Sequence, residues 1–248
     1  MLADLTLVQI AVVAVTAFFA QIIGGLAGYG TGLIMPLVLV PLVGAPAVVP
    51  IIALSAIITN ATRVAAFRES LDLRKALIAT IAALPFALFT AWGYTQLTSR
   101  GTAIFIGIML IVLVPLRRFF EHIKLRLDDK GLAIASTGYG LVSGGSAGSG
   151  VILLSLLMAS GLTGTQVIAT DAMVSFLLCI FRTGVFAGFG ALDGKLVLLA
   201  LLIGLMATPG TLTAKWMVRR FSARVHTIIL EAGILFGGSM IIWRALEG

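Results

Sequence analysis

Residues 24–32 read Gly-Gly-Leu-Ala-Gly-Tyr-Gly-Thr-Gly, which places five glycines in nine positions of an otherwise apolar run. Glycine is a poor helix former, yet lipid requires every backbone N–H and C=O group to find a partner. The pattern returns 120 positions later, where residues 144–150 read Gly-Gly-Ser-Ala-Gly-Ser-Gly. Two further matches at the same offset follow in the same order: Gly44 with Gly164, and Ser55 with Ser175. These matches predict an internal duplication.

The composition indicates an integral membrane protein. Of the 248 residues, 60% are hydrophobic and 11% are charged, and the mean hydropathy is +1.14. The apolar runs are continuous and mostly close to the ~20 residues that a helix needs to cross a bilayer. They do not alternate as the strands of a barrel would, so the chain is predicted to be all-α and polytopic. The formal net charge of +7 is explained by basic cytoplasmic loops, and no nucleic-acid partner is expected.

The basic residues suggest how the two halves are oriented. If each glycine-broken element crosses the membrane once, the halves are parallel and the basic residues divide ten to five between the two sides. If each is a re-entrant hairpin or two crossings, the halves are inverted and the division is twelve to three. The stronger bias favours inverted repeats, because basic residues accumulate in cytoplasmic loops. The predicted units are repeats 1–120 and 131–248, joined by a charged cytoplasmic linker 121–130, with both termini periplasmic.

Inverted repeats change the meaning of the glycine clusters. Each repeat is then a glycine-broken re-entrant or discontinuous helix followed by three transmembrane helices, and the broken helices meet near the midplane. Their unpaired N–H groups can hold an anion. The alternative is that the glycines only allow close helix packing. The candidate substrate-binding residues in the two clusters are Gly28, Tyr29, Gly30, Thr31, Ser146, Gly148, Ser149 and Gly150.

Ionisable residues inside apolar runs are a second functional signal, because charge is expensive in hydrocarbon. Arg63 and Arg182 occupy nearly equivalent places in the two repeats. They either snorkel to the nearest interface or hold an oxyanion in a central cavity, together with Asn60. Asp171 completes the candidate substrate-binding residues, and it is expected either to form a salt bridge with another helix or to carry a proton. Glu231 is a second candidate for proton coupling. No metal and no cofactor is expected.

An intramembrane hydrolase is a competing hypothesis. Residues 144–148 satisfy the G-x-S-x-G pattern of a nucleophilic serine. However, the only two histidines are His122, in the charged linker region, and His226, at a membrane boundary. A serine nucleophile needs a neighbouring general base, so the chain is predicted not to be an enzyme.

The two glycine signatures, with Leu71-Asp72 and Leu192-Asp193 ahead of the third helix of each half, resemble those of the sulfite exporter TauE/SafE family of bacterial membrane permeases. The resemblance covers essentially the whole chain. It implies an inner-membrane transporter, usually an exporter, of sulfite, sulfoacetate or other small organosulfonates, in contact with lipid. Alternating access around a midplane anion site is the expected mechanism. The alternatives to export are an anion channel, an uptake permease for another small carboxylate or oxyanion, and a non-transporting scaffold. A homodimer is a possible assembly.

Overall fold

The computed structural model describes residues 6–27, 30–122, 126–218, 235 and 238–246, and all regular structure within these ranges is helical. Nine α-helices and one short 3-10 helix, Arg68–Ser70, are delimited, and a further helical segment covers 238–246. The nine are α1 Leu7–Ala27, α2 Gly30–Val43, α3 Ala45–Phe67, α4 Leu73–Thr95, α5 Ser99–His122, α6 Asp129–Ser143, α7 Gly150–Ala159, α8 Thr165–Gly188 and α9 Gly194–Val218.

Five stretches in the described part of the chain are long and apolar enough to cross a membrane. They are Ala45–Ser70, Leu73–Thr95, Ser99–Leu116, Thr165–Gly188 and Gly194–Ala214. The helices that follow the glycine clusters are shorter, with 14 residues in α2 and 10 in α7. The prediction of an all-α polytopic membrane protein is therefore confirmed.

Aspartates begin the helices that follow the connecting loops. The Asp72 carboxylate accepts a hydrogen bond from the backbone N–H of Lys75 at 3.0 Å, and the Asp193 carboxylate accepts one from Leu196 at 2.8 Å. An aspartate at this position satisfies N–H groups that the first helical turn leaves free. The Leu-Asp pair of each half is therefore a helix start, with the same physical role in α4 and α9.

The helices α6 and α7 form a hairpin. The backbone N–H of Leu127, just before α6, donates to the carbonyl of Ala159 at the end of α7, at 2.8 Å. Both ends also contact the start of α4. Asp129 pairs with Arg74 at 2.7 Å, and the Lys75 ammonium donates to the Ser160 carbonyl at 2.6 Å. The second glycine-broken element therefore enters the protein and returns to the side from which it came.

The helices α3 and α8 pack together and run in opposite directions. At one end, the Ser70 hydroxyl, just after α3, lies 2.9 Å from the Thr165 hydroxyl at the start of α8. At the other end, Tyr94 joins them, because its hydroxyl donates to the Ala45 carbonyl at 2.9 Å and its ring packs edge-on against Phe186. The antiparallel pair forms the centre of the described structure.

The flanking helices of each half pack on a helix of the other half. In the first half α1 packs on α9, and in the second half α6 packs on α4. The second contact is very close, because α4 presents five fully buried alanines to its neighbours: Ala76, Ala79, Ala83, Ala87 and Ala91. The backbone of α6 approaches Ala83 at Gly140 and Ala87 at Gly144. Small residues of this kind let membrane helices pack backbone to backbone.

This close approach leads to a prediction on two glycines of the same helix. A Cβ at Gly140 would overlap the backbone of Ala83, whereas a Cβ at Gly138 would meet no atom within 4 Å. Overpacking usually costs about 1–3 kcal/mol. We expect Gly140→Ala to lower the unfolding temperature in detergent and Gly138→Ala to leave it unchanged or raise it. Equal effects of the two substitutions would contradict the packing described for α4 and α6.

Candidate functional site

The two glycine clusters meet in the interior of the protein. A Cβ at Gly32, in the first turn of α2, would lie within 3 Å of the backbone of Gly148. Gly148 precedes α7 and has a φ of +87°, a conformation that residues with side chains rarely adopt. A Cβ at Gly148 would overlap the Leu33 side chain. The contact between the two broken elements therefore depends on glycine on both sides.

The first two glycines of each cluster differ in their described structure. In the first half α1 continues through Gly24 and Gly25 to Ala27, and α2 is described from Gly30. In the second half α6 ends at Ser143, and residues 144–149 form the turn that leads to α7. The predicted break is therefore present in the second cluster, where it begins at the first glycine.

A cavity of about 130 Å³ lies beside this contact and is lined mainly by the two glycine-broken elements, α3 and α8. Nine of the twelve predicted substrate-binding residues line it: Thr31, Asn60, Arg63, Ser146, Gly148, Ser149, Gly150, Asp171 and Arg182. Gly30 is the first described residue of α2. Gly28, Tyr29 and Glu231 lie outside the described residues. Whether the nine bind substrate remains a prediction.

Several lining residues did not belong to the predicted site: Gln21, Ser55, Thr59, Tyr139, Ser175 and Cys179. A signal for part of this set was present in the sequence. Ser55, Thr59 and Arg63 follow one another at intervals of four, and Ser175, Cys179 and Arg182 at four and three. These spacings place each set on one helix face. Following the helix face of each arginine towards the start of its helix would therefore have identified the two residues ahead of it in each set.

Arg63 and Asp171 form a buried ion pair between α3 and α8. Arg63 Nη2 lies 2.9 Å from Asp171 Oδ2, and Arg63 Nη1 donates to Asn60 Oδ1 at 3.1 Å. The residues are 9% and 1% exposed, respectively. Arg63 therefore does not snorkel to a surface, and the expected salt bridge of Asp171 with another helix is present.

Arg182 has a different environment, although it is equally buried, at 7% exposure. Its Nη2 donates to the carbonyl of Ser146 at 3.3 Å. Its Nε makes no hydrogen bond in the described part of the chain. No carboxylate of the described residues lies within ion-pairing distance of this guanidinium. Among the described residues, Arg182 thus brings to the cavity wall a positive charge that has no carboxylate partner and an Nε–H that makes no hydrogen bond.

The hydroxyls of the two clusters are partly occupied by internal hydrogen bonds. The Ser146 hydroxyl, in the turn after α6, donates to the Val142 carbonyl near the end of that helix at 2.6 Å. Thr31 donates to the side-chain carbonyl of Gln21, whose amide in turn donates to the Thr211 hydroxyl at 3.0 Å. This last chain of contacts ties α2 to α1 and α9. The Ser146 and Thr31 hydroxyls therefore stabilise the cavity walls. Each can still accept a hydrogen bond, but it can donate one to a ligand only if the hydroxyl rotates away from its present partner.

The electrostatics of the cavity favour an anion. Its charged lining residues in the described structure are Arg63, Asp171 and Arg182, which leave a net formal charge of +1. The N-terminus of α7 also faces it, with Ser149 and Gly150 in the lining. A helix N-terminus adds partial positive charge and unpaired N–H donors. The volume corresponds to about four water molecules, which suits a small oxyanion.

The comparisons with known proteins agree with this chemistry. Residues 13–241 match the family model described as sulfite exporter TauE/SafE. No curated protein and no solved structure matches the chain.

Proposed function

Because the chain belongs to the sulfite exporter TauE/SafE family, we propose that it exports small sulfur-containing oxyanions such as sulfite, sulfoacetate or other organosulfonates. Membership in this family makes it a membrane transporter and not an enzyme. The observation that supports the anionic substrate is the buried cavity, with Arg182 uncompensated among the described residues. Forked guanidinium donors and helix N–H groups match the oxygens of a sulfite or sulfonate group.

Alternating access is the proposed mechanism, with 1–120 and 131–248 acting as inverted repeats. The antiparallel packing of α3 on α8 supports this relation, because equivalent helices of inverted repeats run in opposite directions. The hairpin that α6 and α7 form supports it too. The substrate site would then stay near the midplane while the two halves exchange shapes around it.

Export does not require a coupled ion. An inside-negative potential of 100 mV drives each exported negative charge by about 2.3 kcal/mol. Asp171 is held by Arg63, so its proposed role is that of an internal counter-ion. Proton coupling by Asp171 or Glu231 is an alternative that export does not need.

The proposed location is the bacterial inner membrane, with linker 121–130 cytoplasmic and both termini periplasmic. Cysteine labelling tests this orientation, because Cys179 is buried and gives little background. Arg126 and Gln96 are both exposed and lie at opposite ends of the helix bundle. In intact cells, an impermeant maleimide added outside should label Gln96→Cys and spare Arg126→Cys until the membrane is permeabilised. The reverse pattern would invert the orientation.

Flux into proteoliposomes tests the proposed function directly. We expect the protein to move labelled sulfite, and an organosulfonate such as sulfoacetate, faster than empty liposomes do. Absence of flux for every anion offered would contradict the proposal. Bilayer currents far above carrier turnover would replace the transporter mechanism by an anion channel.

A further inference from the structure

The three charged residues of the cavity are arranged unequally. Arg63 faces Asp171 and shares its charge with that carboxylate, at 2.9 Å. Arg182 contacts the turn between α6 and α7, where its guanidinium donates to the Ser146 carbonyl. No carboxylate of the described residues lies within ion-pairing distance of it. An anion in the cavity therefore faces one guanidinium whose charge is neutralised by a carboxylate and one whose charge is not.

Asp171 belongs to the cavity wall itself. It is 1% exposed and lines the cavity. One of its oxygens, Oδ2, contacts Arg63, while Oδ1 makes no hydrogen bond in the described part of the chain. A buried carboxylate acts at short range with little solvent screening. Its negative charge opposes any additional negative charge in the cavity.

Among the described residues, Arg63 has a carboxylate partner and Arg182 has none, and a comparison of the two halves shows where they differ. The offset of 120 that relates Gly44 to Gly164 relates Ile51 to Asp171. Ile51 is fully buried in α3 and carries no charge. The second half thus supplies a carboxylate to the arginine of the first half, but the first half supplies none at the corresponding position. The net charge of +1 follows from this single difference.

We infer that the site selects singly charged anions, such as hydrogensulfite and simple alkanesulfonates, over doubly charged ones, and that Asp171 sets this selectivity. The inference rests on the proposed function and narrows it to monoanions. Sulfoacetate, which carries a sulfonate and a carboxylate, is then a poorer substrate than a simple alkanesulfonate. A monoanion neutralises the cavity, whereas a dianion leaves an excess negative charge beside Asp171. Without that carboxylate, both arginines would be free to balance a dianion.

Methanesulfonate and sulfate test the inference, because they have nearly the same shape but carry one and two negative charges. Flux or binding of both anions is measured for the wild type, for Asp171→Asn and for the double variant Arg63→Gln/Asp171→Asn. The single substitution should shift the methanesulfonate-to-sulfate preference towards sulfate by about tenfold or more. The double variant has the net charge of the wild type and should return the preference towards methanesulfonate.

A second substitution tests the charge balance without altering Asp171. Cys179 lines the cavity one turn before Arg182 on α8. A carboxylate at this spacing can pair with the arginine. Cys179→Asp should therefore bind methanesulfonate about tenfold more weakly than Cys179→Asn, which has the same size and no charge.

The outcomes separate the two proposals. A wild-type protein that carries no anion would overturn both the proposed function and the selectivity. Two other results would overturn only the role of charge balance, provided that the wild type transports an anion. One is an unchanged methanesulfonate-to-sulfate preference in Asp171→Asn. The other is equal methanesulfonate binding by Cys179→Asp and Cys179→Asn. If Asp171→Asn fails to fold, the two Cys179 variants and the double variant Arg63→Gln/Asp171→Asn still test whether charge balance sets the selectivity.

Discussion

Arg182→Gln is expected to weaken sulfite binding by about one to two orders of magnitude and to abolish net flux at low substrate concentration. Arg182 is the buried cation of the cavity that lacks a carboxylate partner in the described structure. Hydrogen bonds to a charged group contribute about 1.5–3 kcal/mol, which corresponds to about a 10- to 150-fold change in affinity. Labelled sulfite flux over a range of concentrations measures the loss.

The same substitution at Arg63 would be harder to interpret. Removing Arg63 leaves the buried Asp171 carboxylate without its ion pair, and an unpaired buried charge destabilises a protein strongly. Arg182→Gln strands no carboxylate among the described residues, so the unfolding temperature should stay close to that of the wild type. A loss of function without a loss of stability is therefore the expected signature.

Two further variants complete this test. Arg182→Lys keeps the charge but loses the forked donors, and it should fall between the wild type and Arg182→Gln. Arg100→Gln removes a positive charge from an exposed position in α5 and should leave flux unchanged. Wild-type sulfite affinity in Arg182→Gln would rule out this guanidinium as the anion's partner.

Gly148→Ala is expected to have the largest effect on stability, lowering the free energy of unfolding in detergent by about 2–6 kcal/mol. Two penalties combine at this position. A non-glycine residue at a φ of +87° is strained by about 1–3 kcal/mol. The new Cβ also overlaps Leu33, and overpacking adds about 1–3 kcal/mol. Thermal unfolding with a fluorescent or calorimetric readout measures the sum.

Two matched glycines separate these penalties. Gly161 has a φ of +92° and no atom within 4 Å of an added Cβ, so Gly161→Ala tests strain alone. Gly32 lies in helix α2, and its added Cβ would overlap the backbone of Gly148, so Gly32→Ala tests overlap alone. If Gly148→Ala is no worse than Gly161→Ala, the contact between the two broken elements does not contribute to stability.

The sequence by itself determined the class of the protein and the position of its unusual segments. High hydropathy and continuous apolar runs require membrane helices, because only a helix satisfies its own backbone in lipid. The second glycine cluster located the break between α6 and α7, and both clusters predicted the short helices α2 and α7 that follow them. These features depend on local composition and spacing, which are legible without knowledge of distant contacts. Arg63, Arg182 and Asp171 were also identifiable, since charge within an apolar run is conspicuous.

Only the tertiary structure decided how these parts meet. Arg63 and Asp171 are 108 positions apart, and their pairing depends on the antiparallel packing of α3 on α8. The contact of Gly32 with Gly148 likewise joins the two halves. Which arginine is neutralised and which is left to bind an anion follows from side-chain geometry at a few ångströms. Helix periodicity places a residue on a face, but it does not specify which charge on another helix that face will meet.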